Sequence, residues 1–149
     1  MSSSEKNEDT LRRLLVELQL LQNTSGILES RLNLLEATMS ETRVAGITLE
    51  ELKKEGEGLP LLLPIGGGSF IKANLGNISR VIMGIGADTS VEMKLEKALE
   101  EIGSRLSEME KAQLSVQEQL SQVLAQIRSH QETVNRLGAE LRKDGSPVV

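Results

Sequence analysis

Residues 95–141 read LEKALEEIGSRLSEMEKAQLSVQEQLSQVLAQIRSHQETVNRLGAEL. Within them Leu95, Leu99, Ile102, Leu106, Met109, Gln113, Val116, Leu120, Val123, Ile127, His130, Val134, Leu137 and Leu141 recur at alternating steps of four and three. Twelve of these fourteen positions are apolar. A mean step of about 3.5 residues holds one stripe against a partner helix over many turns, so the pattern is that of a coiled coil. Leu11, Leu14, Leu18, Leu21, Ser25, Leu28, Leu32, Leu35 and Met39 repeat it near the start of the chain, with eight of nine apolar.

The stretch between the two runs abandons that period. Residues 56–86 hold eight of the thirteen glycines and two of the three prolines. Leu61–Ile65 is a short apolar run in which Pro64 suits an edge strand. Gly66-Gly67-Gly68 can turn the chain at positive φ. From Ser69 to Leu75 the residues alternate, with Ile71, Ala73 and Leu75 on one side and Phe70, Lys72 and Asn74 on the other. Gly76-Asn77 marks a turn, and Arg80–Ile85 a third strand. Residues 89–93 fit either a fourth strand or the cap of the last helix. The expected fold class is α+β: a long antiparallel two-helix coiled coil joined by two β-hairpins, in one domain of 149 residues.

The expected limits are about 5–54 for the first helix, about 59–91 for the hairpins and about 92–142 for the last helix. Residues 1–6 read as a frayed tail, with capping near Asn7–Asp9. The first helix is expected to run continuous or slightly kinked; the alternative is a break at Gly46, after which Thr48 with Glu51 has the spacing to restart it. Asp144-Gly145-Ser146-Pro147 stops the second. With the hairpin root near residues 55 and 91, facing residues should have numbers that add to about 146 at equal rise on both arms.

Composition narrows the function. One aromatic (Phe70) against 25 leucines suits a thin leucine seam rather than a wide core. A net charge of −5 disfavours nucleic acid as a partner. There is no cysteine, no membrane-length apolar run and no signal-peptide h-region, so a soluble cytoplasmic protein is expected. Gly66–Gly68 lacks the Gly-Lys-Ser/Thr ending of a phosphate loop, and Gly84-x-Gly86 lacks the third glycine of a dinucleotide fingerprint. His130 is the only histidine and sits on the seam, where it reads as a polar residue that fixes register. No metal, cofactor or catalytic residue is expected, and the chain reads as no enzyme.

Two groups of apolar residues fall outside the seam. With Leu11 at position a, Leu20, Ile27 and Leu34 fall at c, and Leu15 and Val16 at e and f. A two-helix coil leaves c and f uncovered, so these side chains mark a client or partner contact, a third helix, or scattered surface leucines. In the middle segment Ile65, Phe70, Ile71, Val81, Ile82 and Ile85 are too many apolar side chains for isolated hairpins. They are expected to complete a sheet with other subunits, or to pack on helix roots near Leu49, Leu52 and Leu95.

The segment Pro64-Ile65-Gly66-Gly67-Gly68-Ser69-Phe70-Ile71-Lys72-Ala73 resembles the first hairpin of archaeal prefoldin alpha subunits. Val81-Ile82-Met83-Gly84-Ile85-Gly86 with Ser90-Val91-Glu92 resembles their second. The resemblance covers nearly the whole chain. Glycines in the arms (Gly26, Gly103, Gly138) and the tail Pro147-Val148-Val149 depart from the pattern in small ways.

The resemblance implies hairpins that contribute to an intersubunit β-barrel platform, in a hexamer of two alpha chains with four smaller beta-class chains. It implies arms whose tips hold unfolded or nascent proteins without ATP and deliver them to a group II chaperonin. The arm-tip residues singled out for client binding are Leu11, Leu14, Leu15, Leu20, Ile27, Val134, Leu137 and Leu141. Gly26 and Gly138 are expected to let the tips splay. The rival expectation is a structural coiled-coil tether or scaffold, with the Leu20–Ile27–Leu34 stripe as its interface.

Overall fold

The computed structural model describes residues 2–145. The element order is α1 (Ser3–Glu55), β1 (Pro60–Gly66), β2 (Ser69–Asn74), β3 (Arg80–Gly86), β4 (Thr89–Lys94) and α2 (Leu95–Lys143). The chain divides into two units: residues 1–35 with 111–149, and residues 36–110.

α1 starts earlier than the sequence pattern suggested. Ser2 and Glu5 form a reciprocal cap, in which the Glu5 amide donates to Ser2 Oγ and the Ser2 amide to Glu5 Oε2, each at 3.2 Å. This Ser-x-x-Glu box satisfies two amides of the first turn, so residues 3–6 are helical instead of frayed. Gly46 does not break the helix. The Thr48 hydroxyl donates to the Val44 carbonyl at 2.7 Å and so caps no new helix. α1 ends where Gly56 takes φ +83° and its amide donates to the Leu52 carbonyl.

In the first unit the two helix segments pack antiparallel through Leu11, Leu14, Leu137 and Leu141, all at most 9% exposed, with Leu15 and Val134 packed against them. Asn7 Nδ2 donates to Glu140 Oε2 at 3.4 Å, and His130 Nε2 stands 2.9 Å from Glu17 Oε2. In both pairs the residue numbers add to 147, one more than expected. Among the polar seam residues, Ser25 bonds within its own helix, to the Gln22 carbonyl, whereas His130 reaches across to the other helix.

In the second unit Met39, Leu95, Ala98 and Ile102 are buried. The helices approach closely at Gly46, where an added Cβ would lie 3.2 Å from Ile102 Cγ2.

The same unit holds two separate two-stranded antiparallel sheets, β1–β2 and β3–β4. They are copies offset by twenty residues. Pro60 pairs Asn74 as Arg80 pairs Lys94, and a bulge precedes each turn at Pro64/Gly66 and at Gly84/Gly86. Three successive residues of each turn have positive φ: Gly66, Gly67 and Gly68 in the first, Gly86, Ala87 and Asp88 in the second.

Asn77 Oδ1 accepts from the Ser79 amide at 2.8 Å in the link between the hairpins. Residues 89–93 belong to β4, which runs into α2 with no loop, so α2 begins at Leu95 rather than near residue 92. α2 ends at Lys143, where the expected stop begins with Asp144 and Gly145 at φ +72°; Ser146, Pro147 and the rest of the tail lie outside the described residues.

Candidate functional site

Strand alternation sorts each hairpin into an apolar and a mixed face. Paired residues share a face. Leu61, Leu63, Ile71 and Ala73 share one side of β1–β2, while Val81, Met83, Val91 and Met93 share one side of β3–β4; Ile65 and Ile85 are the unpaired bulge residues. Of the six residues singled out for assembly, Ile71 and Val81 lie on these apolar faces, and Ile65 and Ile85 sit at the bulges beside the turns. Phe70 and Ile82 lie on the opposite faces, Phe70 opposite Pro64 and Ile82 opposite Glu92.

Val81 is half-buried, and the other five are 50% to 75% exposed, so the helix roots do not cover them. A two-stranded ribbon with four apolar side chains on one face gains little by itself in water and needs a covering surface. Leu63, Met83, Val91 and Met93 belong to the same faces. Period-two alternation marks them in the sequence, once the strand limits are known.

The residues expected at the helix ends separate into two sets. Leu11, Leu14, Leu137 and Leu141 are core: their exposures run from 0% to 9%, and no side of this cluster is open to a large ligand in the closed arrangement. Leu15 and Val134 are partly buried beside them. Leu20 and Ile27 are on the surface, 60% and 61% exposed, in line with Val16 at 63% and Leu34 at 69%. Burial follows position: a and d side chains meet the partner helix, and c and f side chains point away from it.

Between the sets lies His130. Its Nδ1 is 2.9 Å from the Gln126 carbonyl and its Nε2 2.9 Å from Glu17, whose other oxygen is 3.7 Å from Arg13 Nε. Glu17, Leu20, Leu21, Gln126 and His130 line a groove of about 370 Å³. Among the described residues no group of three His, Cys, Asp or Glu side chains could hold a metal ion, and no helix is long and apolar enough to cross a membrane.

A long helix before and after two β-hairpins, with exposed apolar side chains on the hairpins, defines a coiled-coil protein with a β-hairpin insert. Residues 21–140 match the prefoldin family, described as "Prefoldin subunit". The chain is 34% identical to "Prefoldin subunit alpha" of Methanopyrus kandleri over 79% of its length and 78% of that protein. It is 33% identical to the protein of the same name from Pyrococcus horikoshii, over 82% and 83%. The Thermococcus onnurineus alpha subunit is 38% identical over 70% and 71%.

Among solved structures, filamentous PFD from Methanocaldococcus jannaschii superposes with a TM-score of 0.64 at 22% identity, covering 79% of this chain and 95% of that one; this likeness speaks for the fold. The chain belongs to the prefoldin family, among its alpha subunits. The family is one of chaperone subunits rather than enzymes, and its members assemble with other prefoldin subunits.

Proposed function

We propose that this chain holds unfolded or nascent proteins without ATP and passes them to a group II chaperonin, as the alpha subunit of a hexamer of two alpha and four smaller beta-class chains. The observation that carries the reading is the row of exposed apolar side chains Val16, Leu20, Ile27 and Leu34 on α1. Holding is binding rather than chemistry: such side chains cover apolar segments of a client, and several weakly binding arms add through effective concentration.

Leu20 and Ile27 make first contact. Leu11, Leu14, Leu15, Val134, Leu137 and Leu141 form a second set, available when the helix ends part. Ile65, Phe70, Ile71, Val81, Ile82 and Ile85 bind neighbouring subunits, the two hairpins supplying strands to a shared β-barrel.

The test is co-purification from the source cells followed by native mass spectrometry, then suppression of aggregation of a chemically denatured client with and without ATP. A hexamer of two copies with four of a smaller chain, active without nucleotide, is expected. A homodimer or filament lacking that partner would overturn the reading in favour of a coiled-coil tether.

A further inference from the structure

We propose that the outer face of α1 from Val16 to Leu34 is a second coiled-coil seam that docks helical segments of client proteins whatever their charge. This deepens the client-holding reading and rests on it. Val16, Leu20, Asn23, Ile27, Ser30 and Leu34 alternate steps of four and three. The same stretch carries its inner seam at Leu18, Leu21, Ser25, Leu28, Leu32 and Leu35, where Leu28 is buried and the others half-buried. The two seams occupy c/f and a/d positions, opposite sides of one helix. The outer seam is exposed throughout, its four apolar members at 60% to 69%.

Its eighteen-residue rise is about 27 Å. A partner with the same period meets every apolar member by seating knobs between them. An extended chain, with side chains alternating every second residue at about 3.3 Å per residue, does not stay in step.

Charge argues for many partners rather than one. Between Leu18 and Leu35 only Glu29 and Arg31 are charged, in a chain that is 26% charged overall. The seam is flanked by Gln19, Gly26 and Asn33 on one side and by Glu17, Thr24 and Arg31 on the other. Glu17 is held by His130 and Arg13. Flanking charges are what fix partner and orientation in a permanent coiled coil, and a seam whose flanking charges are only Glu17 and Arg31 selects mainly by shape.

A second copy of this chain fits poorly. Antiparallel, Asn23 would oppose Ile27 and Ser30 would oppose Leu20. Parallel, an Asn and a Ser layer would interrupt four apolar layers. The stripe is also continuous with the α1–α2 interface: Leu20 lines the His130 groove together with the seam residue Leu21, which gives a docked side chain a recess.

The experiment is fluorescence anisotropy on the full chain in its native assembly. The probes are two labelled neutral peptides of identical leucine, glutamine and alanine content. One carries leucine at heptad spacing, the other at every second residue. The heptad peptide is expected to bind about tenfold more tightly, with the same affinity at low and high salt. Ile27→Asp, at an exposed position, is expected to weaken it about tenfold. Ile27→Gln is the neutral check, and circular dichroism confirms that both variants are folded.

Equal binding of the two peptides, or wild-type binding by Ile27→Asp and Ile27→Gln, would overturn the proposal. So would sedimentation showing that Ile27→Asp splits a self-associated species, since a second copy would then occupy the face. Aggregation suppression is read separately. If it persists while the peptides bind equally, the seam fails and client holding stands. If it is absent, client holding fails, and the peptide comparison still decides the seam.

Discussion

Gly26 and Gly138 lie within the helical segments of the first unit, and replacing both with alanine tests whether those segments work by opening. An alanine Cβ at Gly26 would meet nothing within 4 Å, and one at Gly138 would stand 3.8 Å from Arg142 Nη2, an ordinary contact. Neither glycine needs a left-handed backbone. Each substitution therefore returns the full propensity difference of about 1 kcal/mol. The two sites are on different helices and share no contact, so the gains add to about 2 kcal/mol. For a chain of this size that is a rise in Tm of about 4–8 °C. Opening of the Leu11–Leu14–Leu137–Leu141 cluster should become about 30-fold rarer. The assays are thermal unfolding, amide exchange at the ends of α1 and α2, and aggregation suppression. Exchange should slow and client holding should weaken without vanishing, because Leu20 and Ile27 remain exposed. A stability gain near zero or a loss would refute the packing argument. A full gain with unchanged holding would sink the idea that parted helix ends bind client.

Gly46→Ala should behave unlike Gly26→Ala. Its Cβ would lie 3.2 Å from Ile102 Cγ2, and Ile102 is buried, so overpacking of about 1–3 kcal/mol offsets the propensity gain and urea unfolding should show no stabilisation. Leu141→Ala, at a fully buried position, should cost about 2–4 kcal/mol by the same measurement and speed exchange near Leu11 and Leu14. Ala87→Gly should stabilise by about 0.5–1 kcal/mol, because Ala87 sits at φ +49° where its Cβ crowds the backbone; the equivalent turn residue of the first hairpin, Gly67, serves as the comparison. Ile71→Asp with Val91→Asp, one charge on each apolar hairpin face, should leave helix content unchanged and prevent assembly with other subunits, read by size-exclusion chromatography.

Periodicity made the helices legible, because a seam at alternating steps of three and four can be satisfied in few ways. It also placed the hairpins, through the glycines and the Phe70–Asn74 alternation. Boundaries were harder. The Ser2–Glu5 box was in plain view, but polar residues before the first leucine look like a tail until the two side chains are seen to reach each other's amides. The continuous first helix was legible, with Gly46 the one place where propensity, which weighs a residue alone, offered a break. In the folded chain the missing side chain of Gly46 is what lets α1 approach Ile102. Residues 89–93 stayed open between strand and helix cap because no loop separates β4 from α2, and the strand ladder decides for the strand. Phe70 and Ile82 illustrate a further limit: hydrophobicity marks them for burial, whereas pairing register decides which face they occupy.

The same distinction separates the residues first grouped as client contacts. Leu11 and Leu141, 2% and 0% exposed, are made available to a client only by leaving a leucine seam, at about 1.5–3 kcal/mol each. A client must return at least that much on binding, so it would use them after capture rather than for it. Leu20 and Ile27 carry no such cost, since their side chains already face solvent. On the proposed client-holding function, first contact would then fall to the outer face and tighter holding to the seam. Ile27→Asp and the double glycine replacement then have different signatures. The first should slow capture, because it removes the surface an incoming client meets. The second should shorten the lifetime of the held complex and leave capture alone, because only the opening step changes. Stopped-flow mixing with a labelled unfolded client reads both rates in one experiment. If both variants act on the same rate, the two surfaces are one site, and the order argued from their burial is wrong.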